Sequence, residues 1–323
     1  MVGAGTGNAE LPGDNTPVWL RLDEMLARPP SVEPADILAM KNQLHHRSSP
    51  GTEMVTRNDG QIETPLETHM STLRKNFAIA FMVAMSGTMA HAETKLAAKD
   101  IVIVHGALVD GSGWRAVHDI LTKDGFHVTI VQEPLTGLAE DVDATKRVID
   151  QQTGPVVLVG HSYGGSVITE AGADPKVSAL VYVAALQPDA GEAGGQLMSK
   201  FAAPNDAMRA ATNRATPDKY FFIPPAKFRE TYAADVPAPE AQFMADSEQQ
   251  LAEKAMGAPL SVAAWHNKPS YAILTTKDHV ISPELQRWMY QRSGAKVTEL
   301  AASHAVFVSQ PEAVAKVIEA AAK

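Results

Sequence analysis

The sequence contains no cysteine, and this absence excludes several kinds of chemistry. Without thiols the chain forms no disulfide, offers no thiolate nucleophile and builds no cysteine-based zinc site. The absence of cysteine does not identify the redox compartment in which the protein works. A basic excess is also absent. The formal net charge of the 323 residues is −9, whereas nucleic-acid binding needs a positive face. We therefore expect no nucleic-acid partner.

Patterns for metal and phosphate binding are equally scarce. The chain has no H-E-x-x-H segment, and its His45-His46 pair lies in an atypical N-terminal stretch. Neither G-x-G-x-x-G nor G-K-[ST] occurs, so no glycine-rich phosphate loop is indicated. We predict that the protein uses no metal and no cofactor.

Residues 1–69 differ from the rest of the chain. They carry seven prolines, polar clusters and little apolar periodicity, with one short amphipathic stretch at 18–27. We interpret this stretch as a disordered upstream extension that is not part of the mature protein. The alternative is a genuine, poorly ordered N-terminal segment followed by a buried or anchoring helix.

The composition changes at Met70, where a signal peptide is predicted. Arg74 and Lys75 precede a 14-residue apolar run that leads into Ala90-His91-Ala92. A basic start, a short apolar run and an A-x-A site are typical of secretory signals. The run is shorter than the ~20 residues that span a bilayer. We predict cleavage after Ala92, a secreted or periplasmic mature protein (93–323) and no stable membrane anchor.

Apolar runs alternate with helical patterns from Asp100 onward. Six runs predict strands, at 101–106, 127–134, 155–160, 177–186, 270–278 and 295–303. Amphipathic segments between them predict helices, at 115–123, 138–152, 166–173 and 282–294, with a last helix from about 311. Strands separated by helices indicate a mostly parallel central sheet with helices on both faces, an α/β fold.

The alternation stops between about 187 and 262. This stretch is rich in alanine, proline, methionine and aromatic residues and has no strand rhythm. We predict a small helical cap inserted into the α/β domain. Some of its apolar side chains should line a cavity and favour a partly apolar substrate. The pocket candidates are Leu108, Phe221, Phe222 and Trp265.

The segment Gly160-His161-Ser162-Tyr163-Gly164 fits G-x-S-x-G, the nucleophile elbow. An apolar strand ends at Gly160 and a helical pattern opens after Ser162. Glycines two residues before and after the serine relieve a clash in so tight a turn. We predict that Ser162 is a nucleophile.

A serine nucleophile needs a base and an orienting acid. Three histidines follow Ser162, and His304 comes after the last predicted strand, where a loop can bring it to the elbow. His266 and His279 are interpreted as surface or pocket-wall residues. Asp278 directly follows a strand and is the predicted acid. Its rival, Glu284, falls at a helix start and better complements the helix dipole.

The oxyanion of a tetrahedral intermediate needs N–H donors. The predicted donors are the amides of Tyr163 and Ala107, with Leu108 as the alternative to Ala107. The Tyr163 side chain is expected to be free to shape the pocket. His105 and His161 are interpreted as structural rather than catalytic.

Several segments together resemble the α/β-hydrolase superfamily, notably "IVIVHGALVDGSGWRAV", "GPVVLVGHSYGGSVITEAG" and "SHAVFVSQPEAVAKVI". They are most similar to small serine esterases related to plant methyl esterases and hydroxynitrile lyases, in a bacterial secreted branch. The resemblance implies the triad Ser162, Asp278 and His304, oxyanion donors Ala107 and Tyr163, and a lid over 187–262.

Two positions favour an esterase over a lyase. Hydroxynitrile lyases of this group carry threonine and lysine where this chain has Gly106 and Ala305. We therefore predict hydrolysis of a small-molecule carboxylic ester through an acyl-enzyme. The alternatives are a small-molecule binding protein with a slow triad and a cofactor-free acyltransferase or perhydrolase. The sequence leaves the particular ester and the oligomeric state open.

Overall fold

A parallel six-stranded sheet forms the centre of the protein. The computed structural model describes residues 98–201 and 214–323. Its strands are β1 (Asp100–Val104), β2 (His127–Val131), β3 (Val156–His161), β4 (Val177–Val183), β8 (Ser270–Thr275) and β9 (Lys296–Leu300). The strand order is β2-β1-β3-β4-β8-β9, and every neighbouring pair is parallel. The six predicted strands are confirmed, most of them shorter at their ends.

Position in the sheet explains the composition of the strands. β1 and β3 are buried at every residue, because helices cover both of their faces. They are accordingly continuous runs of aliphatic residues. β9 at the edge is exposed at four of its five residues, and it carries Lys296 and Glu299. Charged side chains on an edge strand discourage pairing with another chain.

Helices cover both faces of the sheet. They are α1 (Arg115–Lys123), α2 (Leu138–Gln151), α3 (Gly164–Ala171), α8 (Pro283–Ser293), α9 (Val306–Ser309) and α10 (Pro311–Ala321). The chain steps outward from β1 to β2 and then back past β1 to β3. Because parallel crossovers are right-handed, these opposite steps place α1 and α2 on opposite faces. α2 packs on α3, and α1 packs on α10.

The reversal of strand order between β1 and β3 creates a crevice at the carboxyl ends of these strands. In open α/β sheets ligands bind at such a switch point. The loop after β1 and the turn after β3 both open onto it. The fold therefore brings the loop with the predicted oxyanion donors and the turn with the predicted nucleophile to the same edge of the sheet.

The inserted cap is mixed rather than purely helical, so the prediction of a helical cap was wrong in part. The predicted short helices are present: α4 (Gly194–Lys200), α5 (Pro225–Tyr232), α6 (Ala238–Asp246) and α7 (Glu253–Gly257). A three-stranded antiparallel sheet accompanies them, made of β5 (Arg214–Ala215), β6 (Tyr220–Phe222) and β7 (Leu251–Ala252). Strands of two or three residues are too short for an alternating pattern to reveal.

The predicted extension (1–69) and signal peptide (70–92) lie outside the described residues, and cleavage after Ala92 stays a prediction. In the two ranges that the structure describes, no helix is long and apolar enough to span a membrane. At the first described residue, the Ala98 N–H donates to the Ala322 carbonyl at 3.0 Å. This bond joins the two ends of the described domain.

Candidate active site

Ser162 lies at the turn between β3 and α3 in a backbone conformation that L-residues rarely adopt. Its φ is 52°. The close packing of the turn explains its glycines, since a Cβ at Gly160 would lie 2.6 Å from the Gly164 carbonyl oxygen. A Cβ at Gly164 would lie 2.5 Å from the His105 carbonyl oxygen. Backbone strain of this kind is typical of functional sites. Here the tight turn places the serine at the edge of the sheet.

Ser162, His304 and Asp278 form one continuous hydrogen-bonded chain. The Ser162 Oγ lies 2.8 Å from His304 Nε2, and His304 Nδ1 lies 2.8 Å from Asp278 Oδ2. His304 and Asp278 are fully buried, whereas Ser162 keeps 6% of its surface exposed. The proton on His304 therefore lies on Nδ1, towards the carboxylate, and Nε2 is free to accept from the serine hydroxyl.

Asp278 is surrounded by donors, and apart from His304 the sequence analysis identified none of them. Its Oδ1 accepts the backbone N–H groups of Val280 (2.7 Å) and Ile281 (2.9 Å). Its Oδ2 also accepts from the Thr275 hydroxyl (2.8 Å) and from Gln286 Nε2 (3.0 Å). Thr275 ends β8, three residues before the aspartate, and this short spacing could have predicted its hydrogen bond to Asp278. Nothing in the sequence near Asp278 indicates that Gln286 of α8 is also a donor.

The loop after β1 lies against the elbow. A Cβ at Gly106 would lie 2.8 Å from the Ser162 Cβ, which shows how close the two segments are. Within the described ranges, the backbone N–H groups of Ala107, Leu108 and Tyr163 donate to no protein acceptor. They are available for an oxyanion beside Ser162. Ala107 and Leu108 remain alternatives, because both N–H groups are unpaired.

His105 holds this loop in shape. Its Nδ1 donates to the Gly106 carbonyl at 2.9 Å, and its Nε2 accepts the Glu133 N–H at 3.1 Å. This bonding requires a neutral ring, and burial lowers the pKa of His105. The Gly106 carbonyl and the Ala107 N–H belong to one planar peptide unit, so His105 also orients that N–H. The structural interpretation of His105 agrees with these contacts.

Residues 101–317, more than half of the chain, match the alpha/beta hydrolase family. The protein belongs to the α/β-hydrolase family.

Named relatives of this hydrolase include a plant and a bacterial protein. Methylesterase 8 of Arabidopsis thaliana is 26% identical over 58% of this chain and 75% of its own length. Pyrethroid hydrolase of Sphingobium wenxiniae is 28% identical over 68% of this chain and 86% of its own length. A crystal structure of a pyrethroid hydrolase superposes with a TM-score of 0.60 at 23% identity, over 69% of this chain and 96% of that chain.

The side chain of Tyr163 differs from its prediction. Rather than being free to shape a pocket, it is buried, and its hydroxyl donates to Asp141 Oδ2 at 2.8 Å. Asp141 Oδ1 accepts the Leu135 N–H at 2.8 Å. Burial raises the pKa of Asp141 to about 6. Tyr163 thus anchors the start of α3 to α2, a tertiary contact that no local pattern announces.

His161 packs against His304 and bonds its main chain. Its Nε2 donates to the His304 carbonyl at 3.0 Å, and its ring lies 4.7 Å from the His304 ring. Burial lowers the pKa of His161 well below its ordinary value, so the ring is neutral. Phe307 and Trp114 enclose it. The structural role predicted for His161 agrees with these contacts.

The four predicted pocket residues have different surroundings. Leu108 is buried beside Ala107, with a φ of 65°. Phe221 and Phe222 are half-buried in β6 of the cap. Trp265 is 7% exposed, and its indole N–H donates to the Pro188 carbonyl at 2.8 Å. Its ring contacts His266 and Arg292, and its place in a substrate pocket stays a prediction.

The remaining candidates make no hydrogen bond to the serine within the described ranges. His266 is exposed and contacts Asp189 at 2.9 Å, and His279 contacts the Glu230 carbonyl at 3.1 Å. Glu284 lies in the first turn of α8, whose N-cap is Ser282, as the helix-dipole interpretation expects. Among the described residues, no group of three or more histidine, aspartate or glutamate side chains is arranged to hold a metal ion.

Proposed function

We propose that this protein is a serine hydrolase that cleaves carboxylic esters of small, partly apolar molecules through an acyl-enzyme. The named relatives are a methylesterase and a pyrethroid hydrolase, and the protein is an ester hydrolase of the α/β-hydrolase family. Ser162 is the nucleophile, His304 the general base and Asp278 the orienting acid. The unbroken chain of two 2.8 Å hydrogen bonds through these side chains carries the proposal.

The geometry supports the following reaction. Nε2 of His304 takes the hydroxyl proton as Ser162 Oγ attacks the ester carbonyl, and the imidazolium forms next to the Asp278 carboxylate. The amide of Tyr163 and that of Ala107 or Leu108 stabilise the oxyanion. His304 then returns the proton to the departing alcohol. Water, deprotonated by the same Nε2, cleaves the acyl-enzyme and releases the acid with Ser162 restored.

The proposed substrate class follows from what surrounds the site. The relatives are named for methyl esters and for pyrethroids. Leu108, buried next to the unpaired amides, offers an apolar contact. Within the described part of the chain, His304 is the one side chain that hydrogen-bonds the Ser162 hydroxyl, and no carboxylate or ammonium group does so. An uncharged ester is therefore the substrate that this site accommodates best.

A nitrophenyl ester tests the proposal. Wild-type protein should release nitrophenolate in a burst followed by a steady rate, and Ser162→Ala should lower turnover by roughly 10⁴-fold or more. Ser166→Ala is the matched control. It removes a buried hydroxyl that has no hydrogen-bond partner among the described residues, lies in α3 four positions after Ser162, and should keep full activity.

Other outcomes would contradict the proposal. Full activity in Ser162→Ala would rule out the nucleophile. Tight binding of small ligands without turnover would favour the binding protein. Transfer of the acyl group to added alcohol or peroxide in preference to water would favour the acyltransferase or perhydrolase.

The proposal also includes secretion of the mature protein. We propose that residues 70–92 direct secretion and that the mature chain begins at Glu93. In support, Arg74 and Lys75 precede the apolar run that ends at Ala90-His91-Ala92. N-terminal sequencing of protein from the periplasm or medium should read from a residue near Glu93. A first residue near Met1 in that material would contradict it.

A further inference from the structure

We propose that Tyr232 of the cap is a positioning residue, which holds the loop after β1 and the loop that carries His304 in their working geometry. This inference rests on the proposed ester hydrolysis. It assigns to the cap a part in orienting the reacting groups, in addition to covering them.

The hydroxyl of Tyr232 holds the loop after β1. It donates to the Ala107 carbonyl at 3.1 Å, and Tyr232 is 1% exposed. That carbonyl and the Leu108 N–H share one planar peptide unit, in which they point in opposite directions. Holding the carbonyl therefore aims the N–H. Leu108 needs such support, because its φ of 65° is costly for a residue with a side chain.

The two peptide units on either side of Ala107 are both held by their carbonyls. His105 donates to the Gly106 carbonyl, and Tyr232 donates to the Ala107 carbonyl. Whichever of the N–H groups of Ala107 and Leu108 meets the oxyanion, its direction depends on this pair of bonds. Burial keeps the phenol protonated by raising the pKa of Tyr232, so the hydroxyl stays a donor.

The same residue holds the His304 loop. The Tyr232 carbonyl accepts the Ala305 N–H at 3.1 Å, and its ring meets the His304 ring edge-on at 4.7 Å. Three residues further along the cap, Asp235 accepts the Ser303 N–H at 3.1 Å. The residues before and after His304 are thus both bonded to the end of α5. His304 then has little freedom to move away from Ser162.

These contacts join three segments that are far apart in sequence. Tyr232 is separated from Ala107 by 125 positions, and the Asp235–Ser303 bond spans 68. The contacts of the hydroxyl differ from those of the ring and main chain. The hydroxyl bonds the loop after β1, whereas the ring and the carbonyl contact the loop that carries His304. Removing the hydroxyl alone therefore separates the two effects.

Tyr232→Phe provides the test. It keeps the ring on His304 and the stacking on Phe228 while it frees the Ala107 carbonyl. We expect kcat for a nitrophenyl ester to fall roughly 10-fold to 100-fold with KM nearly unchanged, less than the loss of a whole oxyanion donor. Labelling of Ser162 by a fluorophosphonate, followed by intact mass, should slow in parallel, because the phosphoryl oxygen uses the same donors.

Tyr182→Phe is the matched control. Tyr182 is fully buried, and its hydroxyl pairs with Thr169 at 2.9 Å in the core, without contact to either loop. Its removal should lower Tm by an amount similar to that of Tyr232→Phe and leave kcat and the labelling rate within about twofold. All rates are taken well below the Tm of each variant, so that unfolding does not contribute.

The outcomes distinguish this inference from the proposed function. Wild-type rates of turnover and labelling in Tyr232→Phe, with an active wild type, would overturn the inference alone. A parallel loss of kcat in Tyr182→Phe would also overturn it, since general loosening would then explain the effect. A wild-type protein that is neither labelled nor active would overturn both.

Discussion

Two buried carboxylates at the carboxyl edge of the sheet have opposite surroundings. Asp278 follows β8 and is fully buried, and Glu133 follows β2 and is 2% exposed. Asp278 accepts hydrogen bonds from two backbone N–H groups, a threonine, a glutamine and His304. Within the described ranges, neither carboxylate oxygen of Glu133 has a hydrogen-bond partner.

The difference shows that donors, rather than burial, decide which buried acid can serve as an anion. Burial raises the pKa of Glu133 well above its ordinary value, and the charge of Asp141 adds to the shift. His105 Nδ1 lies 3.7 Å from Glu133 Oε2, but burial lowers the pKa of His105 and raises that of Glu133, so both shifts favour the uncharged forms. Asp278 has the donors that a charged partner for His304 requires.

The largest effect should come from Asp278→Asn. Because two backbone N–H groups occupy the Oδ1 position, the new amide NH₂ would face His304 Nδ1. The ring would then carry its proton on Nε2 and could not accept from Ser162. We expect kcat to fall by about 10⁴-fold, measured with a nitrophenyl ester, in a folded protein. A kcat near that of the wild type would remove Asp278 from the mechanism.

A smaller effect is expected from Gln286→Leu. This change removes a donor to Asp278 Oδ2 and leaves the buried Thr275 N–H, now bonded to Gln286 Oε1 at 3.1 Å, without an acceptor. Denaturant unfolding should show a loss of about 2–3 kcal/mol in the free energy of unfolding, and kcat should fall about tenfold. Thr275→Val, which keeps that N–H, should cost less stability. Equal losses in both variants would show that the orphaned N–H is not the cause.

Glu133→Gln should have the smallest effect on activity and should stabilise the protein. A raised pKa means that the stabilising contribution of Glu133 is full below its ordinary value of 4.5 and is lost as pH rises through the raised value. Glutamine is neutral throughout. The variant should therefore exceed the wild type by roughly 1 kcal/mol or more at alkaline pH and lose this advantage in acid.

Urea unfolding of Glu133→Gln across the pH range checks this expectation, with kcat within about twofold of the wild type. A wild type that is more stable than Glu133→Gln at alkaline pH would mean that Glu133 is charged and paired. Such a result would remove the contrast between the two carboxylates.

Local pattern was sufficient for the central domain and for the order of its functional groups. Continuous aliphatic runs such as β3 show a parallel strand, because a strand covered on both faces has no polar side. The turn after β3 is recognisable from Gly160 and Gly164, because the packing there leaves no room for a Cβ at either position. His304 and Asp278 could be selected because each follows a strand of the same sheet, and strand ends meet at one edge.

The partners of these groups could not be derived in this way. The expectation that the Tyr163 side chain is free was wrong, because nothing near it in the sequence reveals Asp141, 22 positions away. The small cap sheet was missed because its strands are too short to show a period.

The sequence by itself determined the parallel sheet, the elbow at Ser162 and the order of serine, acid and histidine, since these depend on hydrophobic period and backbone sterics that act over a few residues. Only the tertiary structure decided which donors surround Asp278, which buried acid is left without them, and that Tyr232 bonds both loops at the site. Those contacts cross the sheet edge between segments far apart in the chain, and they depend on the packing of the whole domain.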